Sequence, residues 1–218
     1  MTAFIVPCKF DPARPIVFDC VASIRLHHPD ATIVVVDAAS DDRSYLADVD
    51  ADLIGDFATG PTYTLAAYKW AYDQLPDETT FGLIHDSLIV NAPIPDPDPL
   101  LTVRHFNTPP QGWGWDQHGI PLQDWAAKVA PFDIPTTFVG ILGPMWFCHR
   151  RVMDDLVDFG LFDIPVTDKW QLCGMERVTG IALQACGYDP TVSLQGEMFG
   201  FFDHYDDSVV TKCHLGRY

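Results

Sequence analysis

Three places in this chain put together residue types that can do chemistry. The first is His85-Asp86-Ser87, which closes the apolar run Phe81, Leu83, Ile84 and precedes a second run, Leu88, Ile89, Val90. An imidazole, a carboxylate and a hydroxyl at the end of a buried strand can hold a polar ligand or a cation, because α/β sheets bind ligands outside their strand ends. A plain turn gives the same pattern, since strand ends are often polar. The second is Asp37, at the end of the β-branched run Thr32 to Val36 and before the small polar turn Ala38-Ala39-Ser40-Asp41-Asp42. An acid there can accept hydrogen bonds from a base or ribose, or simply form the turn. The third is Glu176, the one acid between Asp168 and Asp189, in apolar and small-residue surroundings. A carboxylate so placed can take a hydroxyl proton; the alternative is a surface glutamate paired with Arg177 or a lysine.

These groups need a frame. Ala3 to Val6 reads as a strand stopped by Pro7, and Val17, Val21 and Ile24 as the buried stripe of a helix between Pro15 and His28. Thr32 to Val36 follows as a strand buried on both faces. Strand, helix, strand is a βαβ unit. Asp52 to Phe57 is another strand. A helix opened by Thr59-Gly60-Pro61 then carries Leu65, Tyr68, Tyr72 and Leu75 on one face, with Lys69 and Asp73 paired on another. Phe138 to Cys148 is strand-like but broken by Gly140 and Gly143-Pro144, where the backbone can approach a ligand closely. Val152, Leu156 and Phe159 mark a short helix stopped by Gly160. Thr167 or Asp168 caps a longer one that runs to Gly187 and buries Met175, Val178, Ala182 and Ala185.

Between these elements lies a loop, Arg104 to Gly119, in which Trp113 and Trp115 stand beside Asp116 and His118. Flat rings among hydrogen-bonding groups line sites for sugars and bases, or else fold under into a core. The end of the chain gathers His204, Lys212, His214 and Arg217.

Composition excludes several classes. The chain has 218 residues, 48% of them hydrophobic, which is ample for a core and unlike a disordered chain. Asp and Glu number 30 against 13 Lys and Arg, a formal charge of −17, so direct binding to nucleic acid is disfavoured though not excluded. The six cysteines form no CxxC pair, and buried reduced thiols are expected rather than a disulfide frame or a zinc site. After the first strand stands Pro7-Cys8-Lys9-Phe10-Asp11, not GxGxxG or a P-loop. No charged-then-apolar leader and no membrane-spanning run is seen, so a soluble, cytoplasmic protein is expected.

The order of these motifs resembles the glycosyltransferase A (GT-A) family. Ile33-Val34-Val35-Val36-Asp37 with Ser40-Asp41-Asp42 resembles its nucleotide-binding half, and His85-Asp86-Ser87 stands where the family has Asp-x-Asp. Gly140 to Cys148 resembles the acceptor-side strand, Gly174-Met175-Glu176-Arg177 the acidic base motif, and His214 the late histidine of the metal site. Only one carboxylate, Asp86, remains in the Asp-x-Asp position, and the base motif lacks its second acid.

The resemblance implies a single α/β domain with a mixed, mostly parallel, Rossmann-like sheet flanked by helices. Residues 1–100 would bind a nucleotide-sugar; residues 101–218 would bind the acceptor and supply the tail. It implies transfer of a sugar from a UDP- or GDP-sugar to a hydroxyl of a glycan, a lipid-linked sugar, a protein or a modified base. The donor would meet Pro7, Lys9, Asp37, His85, Asp86, Ser87, Lys212 and Arg217. A divalent ion, Mn²⁺ or Mg²⁺, would lie on Asp86 and His214. Trp113, Trp115, Asp116, His118 and Gly143 would face the acceptor, and Glu176 with Asp86 would carry catalysis. The alternatives are a nucleotidyltransferase of similar fold and a non-catalytic nucleotide-sugar or glycan-binding module.

Overall fold

A computed structural model describes residues 2–57, 63–108, 112–115, 119–197 and 209–212. In chain order its elements are β1 (Thr2–Cys8), α1 (Ile16–His27), β2 (Thr32–Ala38), β3 (Leu53–Phe57), α2 (Tyr63–Gln74), β4 (Thr80–Leu83) and β5 (Leu88–Val90). Then come β6 (Leu100–Thr102), β7 (His105–Asn107), α3 (Gly119–Val129), β8 (Val139–Ile141), β9 (Trp146–His149), α4 (Arg150–Asp158), α5 (Lys169–Ala185) and β10 (Val210–Lys212). The described residues divide into two compact units, 2–96 with 209–212, and 97–197. The class is α/β, with the long strands parallel and the short ones antiparallel.

The first unit is built on the order β3-β2-β1-β4, all parallel. β1 and β2 bury every residue but the first, as β-branched and aliphatic runs do when both faces are covered. Pro7 does not end β1. The Ile5 carbonyl accepts the Ile84 N–H, so odd-numbered residues of β1 turn toward β4, and pairing with β4 reaches only Ile5 opposite Leu83. At Pro7 the missing N–H therefore faces a side where the ladder has finished, while β2 pairs on as far as Cys8 opposite Asp37. α1 buries Ile16, Val17, Cys20, Val21 and Ile24, the expected stripe with two additions. α2 packs on β1 and β2, and its Lys69 and Asp73 form the expected pair at 2.6 Å.

α1 closes on a titratable contact. His28 Nε2 accepts the Ile94 N–H at 2.9 Å, and the imidazole lies 4.9 Å from the Phe4 ring. A backbone N–H can only donate, so Nε2 must be unprotonated. Burial, with His27 beside it, lowers the pKa of His28 below the usual 6.5. The unfolded chain then binds a proton that the folded one refuses. Stability from this contact is complete above about 6.5 and is lost as pH falls from there toward the folded value. Melting at pH 7.0 and 5.5 is expected to show a lower midpoint at 5.5, and His28→Gln is expected to flatten that dependence. An equal slope in the variant would assign the titration elsewhere.

In the second unit β6 pairs with β9 and β7 with β8, both antiparallel. The strand read across Phe138 to Cys148 is two strands, separated by a turn that contains Gly143 at φ +63°. The Arg104 to Gly119 loop also holds a strand, β7, with Phe106 buried against Gly140. α5 starts where Asp168 accepts the Gln171 N–H at 2.8 Å. Met175, Val178 and Ala182 are buried, whereas Ala185, expected in the same stripe, is exposed in the last turn. No described helix is long and apolar enough to cross a membrane.

Candidate functional site

Within the first unit the chain builds β1, β2 and β3 outward in one direction, then returns to lay β4 on the other side of β1. Parallel strands that part in this way leave a crevice outside their carboxyl ends at the point of reversal, where no crossover covers it. β1 ends there in Pro7-Cys8, with Lys9 exposed just beyond, and β4 runs out into His85-Asp86-Ser87. The triplet is a tight turn. The His85 carbonyl accepts the Leu88 N–H at 3.0 Å and the Cys20 thiol at 3.8 Å. His85 and Ser87 are partly exposed, while Asp86 is only 4% exposed. After the turn β5 pairs with β10, which sets Lys212 opposite Leu88. A cation distant in sequence thus stands beside the triplet. This much defines an α/β fold with a polar turn at the end of β4.

Asp37 sits inside β2 rather than beyond it and is fully buried. Its Oδ1 accepts the Ser40 N–H at 3.1 Å, its Oδ2 accepts the Tyr45 hydroxyl at 3.0 Å, and Arg43 Nε lies 3.5 Å away. Arg43 also reaches Asp56 at 2.5 Å. Ser40 Oγ accepts the Phe10 N–H at 2.7 Å, and the Phe10 ring stacks on Tyr45 at 4.3 Å and 9°. Burial, then Cys8 and Asp37, push the Tyr45 phenol far above its usual range, so it remains a donor. This buried carboxylate braces the loop after β2 against the loop after β1. Tyr45 and Phe10 carried no local signal in the sequence that would mark them as its partners.

In the second unit Glu176 and Gly143 come together: Glu176 Oε1 accepts the Gly143 N–H at 2.8 Å. The turn is held further by Leu142 N–H on the Arg104 carbonyl at 2.9 Å and Val103 N–H on the Met145 carbonyl at 3.1 Å. Arg177 is buried, its guanidinium 5.5 Å from the Trp113 ring. Trp113 is 1% exposed, donates from Nε1 to the Pro135 carbonyl at 2.9 Å and lies 5.0 Å from Phe138. Its indole is buried in the core of this unit rather than on an open stacking face. The Trp115 side chain, Asp116, His118, His214 and Arg217 lie outside the described residues.

Sequence reasoning passed over His105, in the stretch taken as a loop. Its Nδ1 is 2.8 Å from Ser193 Oγ. His105 and Phe106 are buried and Asn107 is exposed, and three residues give too short a pattern to mark a strand in the sequence.

Among the described residues no group of three or more His, Cys, Asp or Glu stands close enough to hold a metal ion. The triplet offers one carboxylate, Asp86, and that one is largely buried. Mn²⁺ and Mg²⁺ take several oxygen ligands, so the described donor set does not by itself fit a resident ion.

No family model matches the chain, and no curated protein matches it. Among solved structures it is similar to the crystal structure of S. aureus TarS 1-349, with a TM-score of 0.46 and 12% identity over 80% of this chain and 54% of that one. The chain spans about half the length of that neighbour.

Proposed function

We propose that this chain is a glycosyltransferase that moves a sugar from a nucleotide diphosphate-sugar to a hydroxyl acceptor. The observation that carries the reading is the reversal of strand order between β1 and β4, with Lys9 and the Asp86 turn at the two strand ends and Lys212 paired opposite Leu88, which follows that turn. A nucleotide-sugar is anionic, and the chain is strongly acidic. Cations gathered at a crevice where backbone N–H groups also emerge are what a diphosphate needs in such a field.

In this reading the first unit holds the donor. Breaking the sugar–phosphate bond leaves negative charge on the diphosphate, and Lys9 and Lys212 stabilise it as it forms, the kind of term that is usually the largest in such reactions. Asp86 orients the donor from the turn. Glu176, in the second unit, is the carboxylate we assign to take the proton of the acceptor hydroxyl. The Gly143 N–H holds one carboxylate oxygen still, which fixes where the other points. The order of motifs that resembles the GT-A family supports the same assignment.

The test is release of nucleoside diphosphate, followed chromatographically with UDP- and GDP-sugars, water serving as acceptor. Release is expected, and its rate with Mn²⁺, Mg²⁺ or excess chelator reads whether an ion enters with the donor. Tight binding of a nucleotide-sugar without release under any of these conditions would make the chain a binding module.

Asp37 gives a separate prediction. Asp37→Ala leaves the Tyr45 hydroxyl and the Ser40 N–H without their acceptor, which costs about 1–3 kcal/mol of stability. Nucleotide-sugar affinity is expected to fall as well, because the loop that Asp37 braces borders the crevice. Melting and titration on the same variant separate the two effects. Lost stability with unchanged affinity would confine Asp37 to the scaffold.

A further inference from the structure

We propose that Ser193 and His105 form a nucleophile–base pair in the second unit, able to attack the carbonyl of an ester or other activated acyl group. Three observations carry it. The first is contact: Ser193 Oγ lies 2.8 Å from His105 Nδ1, within the reach a base needs to take a hydroxyl proton. With the ring proton on Nε2, Nδ1 accepts from the serine.

The second is rigidity. Leu194 N–H donates to the Thr102 carbonyl at 3.0 Å, Gln195 N–H to the Val103 carbonyl at 3.1 Å, and His105 N–H to the Gly196 carbonyl at 3.3 Å. Ser193 and Glu197 form bridges with Thr102 and His105. The Thr102 hydroxyl donates to the Pro190 carbonyl at 3.0 Å. The segment bearing the serine is thus laced to the segment bearing the histidine on both sides of the contact, so the pair holds its geometry without a ligand.

The third is charge. His105 is 7% exposed, and burial lowers its pKa, which keeps the ring neutral and able to accept. Glu197 and Asp189 act against the burial, and Arg104 acts with it. For an imidazolium formed during reaction, the two carboxylates outweigh the one guanidinium and favour the extra proton. Ser193 itself is only partly buried.

The step balances without a further reactant. The Ser193 hydroxyl proton passes to His105 Nδ1 as Oγ bonds to the acyl carbon. The alcohol or other leaving group departs with that proton. Water, deprotonated by the same nitrogen, then releases the acid and restores the serine. This inference stands apart from the glycosyl-transfer reading and uses none of its residues.

The probe is a fluorophosphonate, which phosphonylates an activated serine and expels fluoride, applied to the full chain and read by peptide mass spectrometry. One adduct is expected on the peptide containing Ser193, at least tenfold slower in His105→Gln and absent in Ser193→Ala. Melting curves confirm that each variant folds. In the wild type the labelling rate is expected to rise with pH through a single deprotonation with its midpoint below 6.5, a readout that needs no variant. No adduct on Ser193 under conditions that label a control serine hydrolase would overturn the proposal. So would a rate that neither His105→Gln nor pH alters.

Discussion

Glu176→Gln is expected to lower the turnover of a nucleotide-sugar by about 10²–10⁴ while donor affinity stays within a few-fold. The substitution separates two roles of the side chain. Glutamine Oε1 can still accept the Gly143 N–H that glutamate Oε1 accepts at 2.8 Å, so the turn between β8 and β9 is retained. The amide cannot take a proton. A loss that appears in turnover and not in the melting midpoint is therefore a loss of chemistry. Equal turnover in both proteins would reduce Glu176 to a clamp on the turn and favour a mechanism with no base on this helix.

Gly180→Ala is expected to cost the second unit about 2–3 kcal/mol. A Cβ at this position would lie 1.8 Å from the Val139 carbonyl oxygen and 2.8 Å from its carbon. Both are backbone atoms of β8, itself paired to β7, so no side chain can swing aside. Alanine gains up to about 1 kcal/mol in helix propensity over glycine, while forcing atoms into a packed interface costs about 1–3 kcal/mol and occasionally more. An approach of 1.8 Å to a backbone oxygen puts the second term above its usual range, at about 3–4 kcal/mol, so it prevails. For a chain of this size the midpoint should fall by about 5–10 °C. An unchanged midpoint would mean that α5 does not rest directly on β8.

The long elements were legible because their signals are local. Five β-branched or aliphatic residues in succession, Thr32 to Val36, read as a buried parallel strand, and the i,i+4 pair Lys69–Asp73 read as a helix face. Thr167 or Asp168 announced the start of α5 by type and by the apolar spacing after them, and Asp168 is the cap. What failed was short or distant. Three-residue strands such as β6 and β7 show too little period to stand out from a loop. Trp113 is tied to a carbonyl 22 residues away, and nothing in GWGW tells which side its ring takes. Pairing of β10 with β5 joins Asn91 to Thr211 across 120 residues, so the place of Lys212 was beyond local reading.

The candidate site divides in the same way. His85-Asp86-Ser87 and Glu176 stood out as candidates because a polar group interrupting an apolar pattern is visible in one dimension. The enclosure of Asp37 was not, since the groups that fill its carboxylate, Ser40 and Tyr45, follow it in an irregular turn with no period to read. A buried brace and an exposed ligand have the same sequence signature: an acid at the end of a strand.

The central claim is that the carboxyl ends of β1 and β4 bind a nucleotide diphosphate-sugar, and its most direct measurement is a thermal shift across a panel of such compounds. A ligand at a hundredfold excess over its Kd adds about 2.7 kcal/mol to stability, or about 5–10 °C in midpoint at this chain length. At least one member of the panel should produce that shift in the wild type, and Asp86→Ala and Lys212→Ala should each reduce it. No shift with any member, or a shift that both variants leave intact, would contradict the assignment.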